Sequence, residues 1–226
     1  MDYETAIARA PNGWRHFTPA DIERLPHAVR VREMGRVPRD EPPERILRAL
    51  FWTLVYHLEP ERWDELARCE PIHPAILQAL PRAVDVALDV GAGSGRLTAH
   101  LTPRAGCVIA VEPSAGLRSL LRGNVPRAGV VGGWAEHLPV RSHISHLTTA
   151  CGAFGPDPQV LAELVRVTAP GGSIVLINPE EPEWFEEHNW DRMTAQPVEA
   201  PHHAAWIDDF FGPPDPPREM VAIRVR

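Results

Sequence analysis

Asp89, Gly91, Gly93 and Gly95 alternate through ALDVGAGSGRLTAHL, a stretch with an apolar run before the glycines and an amphipathic one after them. Glycine lets a backbone turn tightly and lets a ligand approach to contact distance. If a helix opens after the turn, its free N–H groups near Arg96 offer a seat for a carboxylate or a phosphate. A second acidic residue, Glu112, ends another apolar run in VIAVEP. A carboxylate there can accept hydrogen bonds from the two hydroxyls of a ribose, each charge-assisted bond contributing roughly 1.5–3 kcal/mol.

Those residues need a scaffold that brings them together. AVDVALDV, CVIAVEP, GVVGGW, ISHLTTA and SIVLINP read as five strands. The helical segments GRLTAHL, SAGLRSLLR and DPQVLAELVRVT lie between them, the last with Asp157 as cap and Pro158 at its first position. Strands alternating with helices call for a parallel sheet covered on both faces and, with right-handed crossovers, a doubly wound α/β fold. In such a sheet ligands sit at the carboxyl ends of the strands near the topological switch point, where the glycines fall. APGGS reads as the turn into the fifth strand, and EMVAIRVR as a last strand. EPEWFEEHNWDRM and HHAAWIDDFF read as helices, leaving one clear strand after SIVLINP.

The N-terminal third reads as helical. Thr18 and Pro19 can open a short helix in FTPADIERLP. In PPERILRALFWTLVYHL, the residues Ile46, Leu47, Leu50, Phe51, Leu54, Val55 and Leu58 share one face. EPERWDELARC and IHPAILQALP follow as two more short helices. The expected division is a helical extension over residues 1–80, packed as a lid on a core spanning residues 81–226.

Composition removes several classes of chemistry. All 23 basic side chains are arginine, so there is no lysine for a Walker-type phosphate loop or a Schiff base. A formal charge of −7 disfavours nucleic acid as a partner. Cys69, Cys107 and Cys151 are odd in number and far apart, which suits a reduced, cytoplasmic compartment better than a disulfide framework. MDYETAIARA lacks the pattern of a signal peptide, and no apolar run reaches membrane-spanning length.

The glycine spacing decides between ligands. A dinucleotide turn reads G-x-G-x-x-G, but Arg96 stands where its third glycine belongs; the pattern here is D-x-G-x-G-x-G. With ALDVGAGSGRL, VIAVEPS, GGWAEHLP, CGAFGPD and ELVRVTAPGGSIVLI in this order over residues 83–178, the chain resembles the class I S-adenosylmethionine-dependent methyltransferases. The resemblance implies a Rossmann-like, mostly parallel sheet with an antiparallel last strand, and S-adenosylmethionine as cofactor. It implies that Gly91, Ala92 and Gly93 line the methionyl part, with Asp89 supporting it through its amine or through the loop. Glu112 with Pro113 falls at the ribose, and Trp134, Ala135 and Glu136 near the adenine. Family members often carry an acidic residue where Trp134 stands, so Glu136 or a backbone carbonyl has to serve the adenine amine.

Substrate class follows mostly by exclusion. CGAFGPD lacks the Asp/Asn-Pro-Pro-aromatic motif of amino-methylating DNA enzymes, and Cys151 is preceded by alanine rather than by the proline of cytosine-ring enzymes. LTTAC offers no carboxylate for a catechol-type metal site, and Ser145 stands where such families begin the fourth strand with aspartate. His143 and His146 fall on opposite faces of a strand and His202–His203 lacks a partner, so no metal is expected. A small-molecule methyltransferase is the expectation, with no nucleic acid and no membrane. A cofactor-binding partner or sensor without catalysis is the alternative, and a nicotinamide-dependent oxidoreductase a third. His73, just before the sheet, and His188, after the fifth strand, are candidate bases. Tyr56 reads as core, and the run from Glu180 to Glu187 as a solvated acidic face.

Overall fold

The computed structural model describes residues 2–226. Its seven strands are β1 (Val84–Val90), β2 (Ala105–Val111), β3 (Gly129–Val131), β4 (Ser145–Cys151), β5 (Thr168–Ile177), β6 (Asp191–Thr194) and β7 (Glu219–Arg224). They form one sheet in the order β3-β2-β1-β4-β5-β7-β6. The first five are mutually parallel, and β7 runs antiparallel to both β5 and β6. The strand order reverses between β1 and β4, which opens a crevice at their carboxyl ends.

Twelve α-helices surround this sheet among the described residues: α1 (Tyr3–Ala8), α2 (Pro19–Arg24), α3 (His27–Met34), α4 (Pro43–Ala49), α5 (Phe51–Leu58), α6 (Pro60–Cys69), α7 (Pro74–Ala79), α8 (Thr98–Leu101), α9 (Ala115–Asn124), α10 (Pro158–Val167), α11 (Pro182–Glu187) and α12 (Ala205–Phe211). None is long and apolar enough to cross a membrane. Local chemistry sets their starts. Asp21 accepts from both the Thr18 amide and its hydroxyl at 2.8 Å, and Asp157 accepts from the amides of Gln159 and Val160 at 2.8 and 3.0 Å.

Alternation along β1 builds two cores. Leu88 and Val90 join Leu164 of α10 and Phe185 of α11 on one face, while Ala87 joins Ile76 of α7 and Leu101 of α8 on the other. A third cluster lies in the N-terminal helices, and it is completed from far along the chain. Phe17, Leu47, Phe51 and Leu54 pack with Ile207, Phe210 and Phe211 of α12. The approach is close: a Cβ on Gly13 would stand 2.6 Å from the Phe210 carbonyl oxygen.

Several boundaries differ from the sequence expectation, for local reasons. DRMT is not the end of a helix: α11 stops at Glu187, the chain reverses through Asn189 at φ +64°, and Asp191–Thr194 forms β6 against β7. β5 begins at Thr168, so APGGS lies inside the strand, with the register slipping between Ser145 and Leu147 of β4. The helix foreseen after the glycines is one turn, α8. The long N-terminal helix divides into α4 and α5 at Leu50, although the Leu54 amide still bonds the Leu50 carbonyl at 2.9 Å. His143 lies before β4 in a left-handed turn at φ +56°, not on the strand.

Candidate active site

At the switch point Gly91, Gly93 and Gly95 have φ of +70°, +56° and +104°, a region that side chains disfavour. Space adds a second constraint. A Cβ on Gly91 would stand 2.9 Å from the Ala153 Cβ, and one on Gly93 would stand 3.1 Å from Trp63 Nε1. Across this turn, Glu112 Oε2 accepts from the Gly93 amide at 2.9 Å and Oε1 from the Ser114 amide at 2.7 Å. Glu112 is 5% exposed, and burial pushes its carboxyl up, against the two amides that favour the ionised form. One amide per oxygen leaves each with a further lone pair for a ligand hydroxyl.

Gly91, Gly93, Glu112 and Pro113 line a cavity of about 700 Å³. Trp134, Ala135 and Glu136 continue the same wall, and Cys151 to Asp157 form the far side at the end of β4. The volume suits a ligand of cofactor size together with a second small molecule. Asp89 and Ala92 line instead a small recess behind the turn, shared with Gly91, Gly93, Ser94, Arg96 and Cys151. Asp89 accepts from the Thr98 hydroxyl at 2.6 Å and, weakly, from Thr149 at 3.4 Å. Burial pushes its carboxyl up to about 7, against those hydrogen bonds and the positive charge of Arg96. Asp89 thus ties α8 to β4 beneath the glycine turn. Ser145 is buried at the other end of β4 from Cys151 and takes no part.

The opposite wall comes from the N-terminal helices. Thr53, Tyr56 and His57 of α5 fall at helical i, i+3 and i+4 spacing and all line the cavity, as do Trp63 of α6 and Arg32 of α3. The Ser114 hydroxyl donates to the Tyr56 carbonyl at 2.6 Å, pinning α5 to the loop after Glu112. Asn124 of α9 donates to Asp64 of α6 and to the Ser94 carbonyl, both at 3.0 Å, and so fixes α6 against the glycine turn. The Arg32 guanidinium lies 4.0 Å from the Trp134 ring centroid and bonds Glu136 at 2.5 and 3.3 Å.

The expected residues therefore divide. Gly91, Gly93, Glu112, Pro113, Trp134, Ala135 and Glu136 share the cavity, whereas Asp89 and Ala92 stand just behind it. The Glu136 carboxylate, on the cavity wall as expected, also pairs with Arg32, which donates one bond to each of its oxygens. His73 and His188 line neither the cavity nor the recess. His73 caps α7, its Nδ1 accepting from the Ala75 amide at 3.0 Å; His188 stacks on Trp184 with centroids 3.7 Å apart. Their places in the chain suggested a base that the geometry does not support. Tyr56 is cavity wall rather than core, and Glu180 and Glu181 line the cavity too, at the start of the run read as solvated.

Sequence reasoning passed over His57 and Arg32. Burial and the nearby Arg118 hold the His57 imidazole below its ordinary range, so it is neutral at neutral pH. The i, i+3, i+4 set of Thr53, Tyr56 and His57 was the available signal; its neighbours Leu54 and Val55 had absorbed the helix into an apolar pattern. Among the described residues, no three His, Cys, Asp or Glu side chains are grouped as metal ligands.

Residues 88–176 match the family model described as a methyltransferase domain. An uncharacterized methyltransferase of Mycobacterium tuberculosis is 34% identical over 114 residues, which cover 49% of this chain and 47% of that protein. The chain spans about half the length of the curated relatives it matches at this level. Among solved structures, a SAM-dependent methyltransferase of Thermotoga maritima superposes with a TM-score of 0.50 at 17% identity, covering 77% of this chain and 100% of that one. A chain of the complex between the Haloferax volcanii Trm112 methyltransferase activator and its methyltransferase candidate gives 0.51 at 16% identity, covering 74% and 91%. At these identities the two structures speak for the fold.

Proposed function

We propose that the chain is a class I S-adenosylmethionine-dependent methyltransferase, a reading supported by the methyltransferase-domain match over residues 88–176, and that it methylates a small molecule held in the cavity between the sheet and the N-terminal helices. S-adenosylmethionine is the cofactor of this family, and the residues present suit it. A cradle that a Cβ would fill at Gly91 and Gly93 stands beside a buried carboxylate with lone pairs to spare. Glu112 would hold the ribose, the turn from Gly91 to Gly93 the methionyl part, and Trp134 with Ala135 the adenine. When bound, the cofactor supplies an electrophilic methyl on a sulfonium that leaves as a thioether.

The protein's share of the work is alignment. Holding the two reactants in line can supply roughly 7–11 kcal/mol of barrier lowering. Tyr56, Trp63 and Phe154 line the cavity near the glycine turn and exclude water from that end. Residues 1–80 serve as a lid, with Arg32 closing over Trp134. The observation that carries the reading is Glu112: its carboxylate is buried yet lines the cavity, and it holds the Gly93 amide of the turn.

The test is a melting experiment followed by a transfer assay. A ligand at 100 times its dissociation constant adds about 2.7 kcal/mol, which for this chain length raises the melting temperature by roughly 5–11 °C. S-adenosylmethionine or S-adenosylhomocysteine should give this shift and NAD should not. Transfer of labelled methyl to a metabolite pool, unaffected by EDTA, is the expected second result. A shift with NAD alone would overturn the cofactor; transfer to protein or nucleic acid but to no metabolite would overturn the substrate class.

A further inference from the structure

Trp63 stands on α6, and two contacts with α9 hold that helix in place. Pro60, at its first position, packs so closely that a Cβ on Gly116 would stand 2.6 Å from the Pro60 Cγ. One turn later Asp64 accepts from Asn124, which also holds the Ser94 carbonyl. Trp63 lies between these two fixed points. Its ring meets Tyr56 and Trp52 edge-on, with centroids 4.9 and 5.8 Å away, so the indole is fixed in orientation as well as in place.

The edge it presents to the glycine turn is the polar one. From the position of a Cβ on Gly93, Nε1 is 3.1 Å away and Cε2 4.0 Å. Among the described residues, Nε1 has no hydrogen-bond partner. An indole N–H only donates, so what it lacks is an acceptor. Trp63, Gly91, Gly93 and Cys151 line both the cavity and the recess behind the turn, and so mark the mouth between the two. Arg96, inside that mouth, is already paired: its Nη1 holds Glu70 at 2.8 Å, and its Nη2 lies 3.6 Å from the Cys151 thiol. The donor left unanswered at the mouth is the Trp63 indole.

We propose, resting on the methyltransferase reading, that Trp63 Nε1 donates to the α-carboxylate of the cofactor. The methionyl end laid along the turn carries an ammonium and a carboxylate, and of these only the carboxylate accepts. The Asp89 carboxyl in the recess suits the ammonium, so the two charged groups of the amino-acid end find partners of different kinds. Trp63 lies outside residues 88–176, which match the methyltransferase domain. The contact therefore belongs to the helical extension: the amino-acid end ties α6 to the turn, and a nucleoside without a carboxylate leaves that tie unmade.

Calorimetry on the full chain compares S-adenosylhomocysteine with its decarboxylated analogue, which keeps the nucleoside, the thioether and the amine. The unaltered chain should bind S-adenosylhomocysteine at least ~5-fold tighter. Trp63→Phe, which keeps a ring but no N–H, should lower that preference by about 5-fold, through weaker binding of S-adenosylhomocysteine alone. Trp52→Phe, in the same ring cluster but not in the cavity lining, should leave it unchanged. Should Trp63→Phe lose its fold, the unaltered chain with isotope-labelled tryptophans decides by NMR: of seven indole N–H signals, one should move downfield with S-adenosylhomocysteine and not with the analogue. An unchanged preference in Trp63→Phe, an equal loss for both ligands, an equal effect of Trp52→Phe, or no indole signal that answers to the carboxylate would overturn the proposal. Failure of S-adenosylhomocysteine to bind the unaltered chain would instead overturn the methyltransferase reading.

Discussion

One wall of the cavity is made of backbone and one carboxylate: the left-handed turn from Gly91 to Gly93, held by Glu112 at the end of β2. The facing wall is made of side chains, Thr53, Tyr56, His57, Trp63 and Arg32, each set by helix packing rather than by strand ends. The first has almost no freedom, because its φ angles and close approaches leave room only for glycine. The second can change residue by residue while α5 and α6 keep their buried faces. A fold can thus hold one cofactor firmly and vary what that cofactor meets.

Substitutions should separate the two walls. The largest effect is expected from Gly93→Val, which forces a branched side chain to φ +56° and toward Trp63. Left-handed strain alone costs about 1–2 kcal/mol, and the lost cofactor space adds to it, so affinity should fall by more than roughly 100-fold. Calorimetry showing native affinity would mean that the turn does not face the cofactor. Glu112→Ala comes next. Two ribose bonds and the hold on the Gly93 amide are lost together, for about 1.5–3 kcal/mol or roughly 10–150-fold in affinity, with the fold retained by circular dichroism.

A third prediction concerns protons. Free Asp89 titrates at about 7, whereas an unfolded aspartate titrates near 3.8. The folded protein therefore holds a proton between about pH 4 and 7 that the unfolded chain releases, and this group's contribution to stability falls as pH rises through that window. A cationic cofactor beside the recess favours the ionised carboxylate. Binding at pH 6 should release close to one proton, and affinity should rise up to about tenfold per pH unit below 7 and level off above it. Calorimetry in two buffers of different ionisation enthalpy reads the proton directly; no release at pH 6 would uncouple Asp89 from the cofactor.

The smallest effect belongs to the facing wall. Arg32→Ala removes a partly exposed ion pair and a cation–aromatic contact, each worth roughly 0.5–1 kcal/mol. Cofactor affinity should fall only a few-fold, with the rate of cofactor release, followed by tryptophan fluorescence, rising by a similar factor. A loss as large as that for Glu112→Ala would erase the distinction between the walls.

Legibility in the sequence divides along the same line. The glycine turn, Glu112 and the strands before them could be read because their requirements are local: a positive φ, a strand end, a short valine-rich run. Asp157 and Thr18 were readable as caps for the same reason. β6 was not, since four residues paired only with β7 carry no pattern of their own. Tyr56 and His57 looked like the tail of an apolar helix, because which face meets the cavity depends on Ser114 and Trp63, which lie elsewhere in the chain. That Glu136 pairs with Arg32, 104 residues earlier, could not be read from either segment alone. His73 and His188 drew attention by position, but α7 and Trp184 had already used them.

The cluster shared by Phe17, Phe51, Phe210 and Phe211 sets a timetable for synthesis. The N-terminal helices leave the ribosome first, yet their interior lacks Ile207, Phe210 and Phe211 until α12 has been made. The strands from Val84 to Ile177 are all complete before then and contact one another without α12. The binding turn can therefore be in place while its cover is still unfinished, with apolar faces exposed for the time it takes to translate the intervening residues.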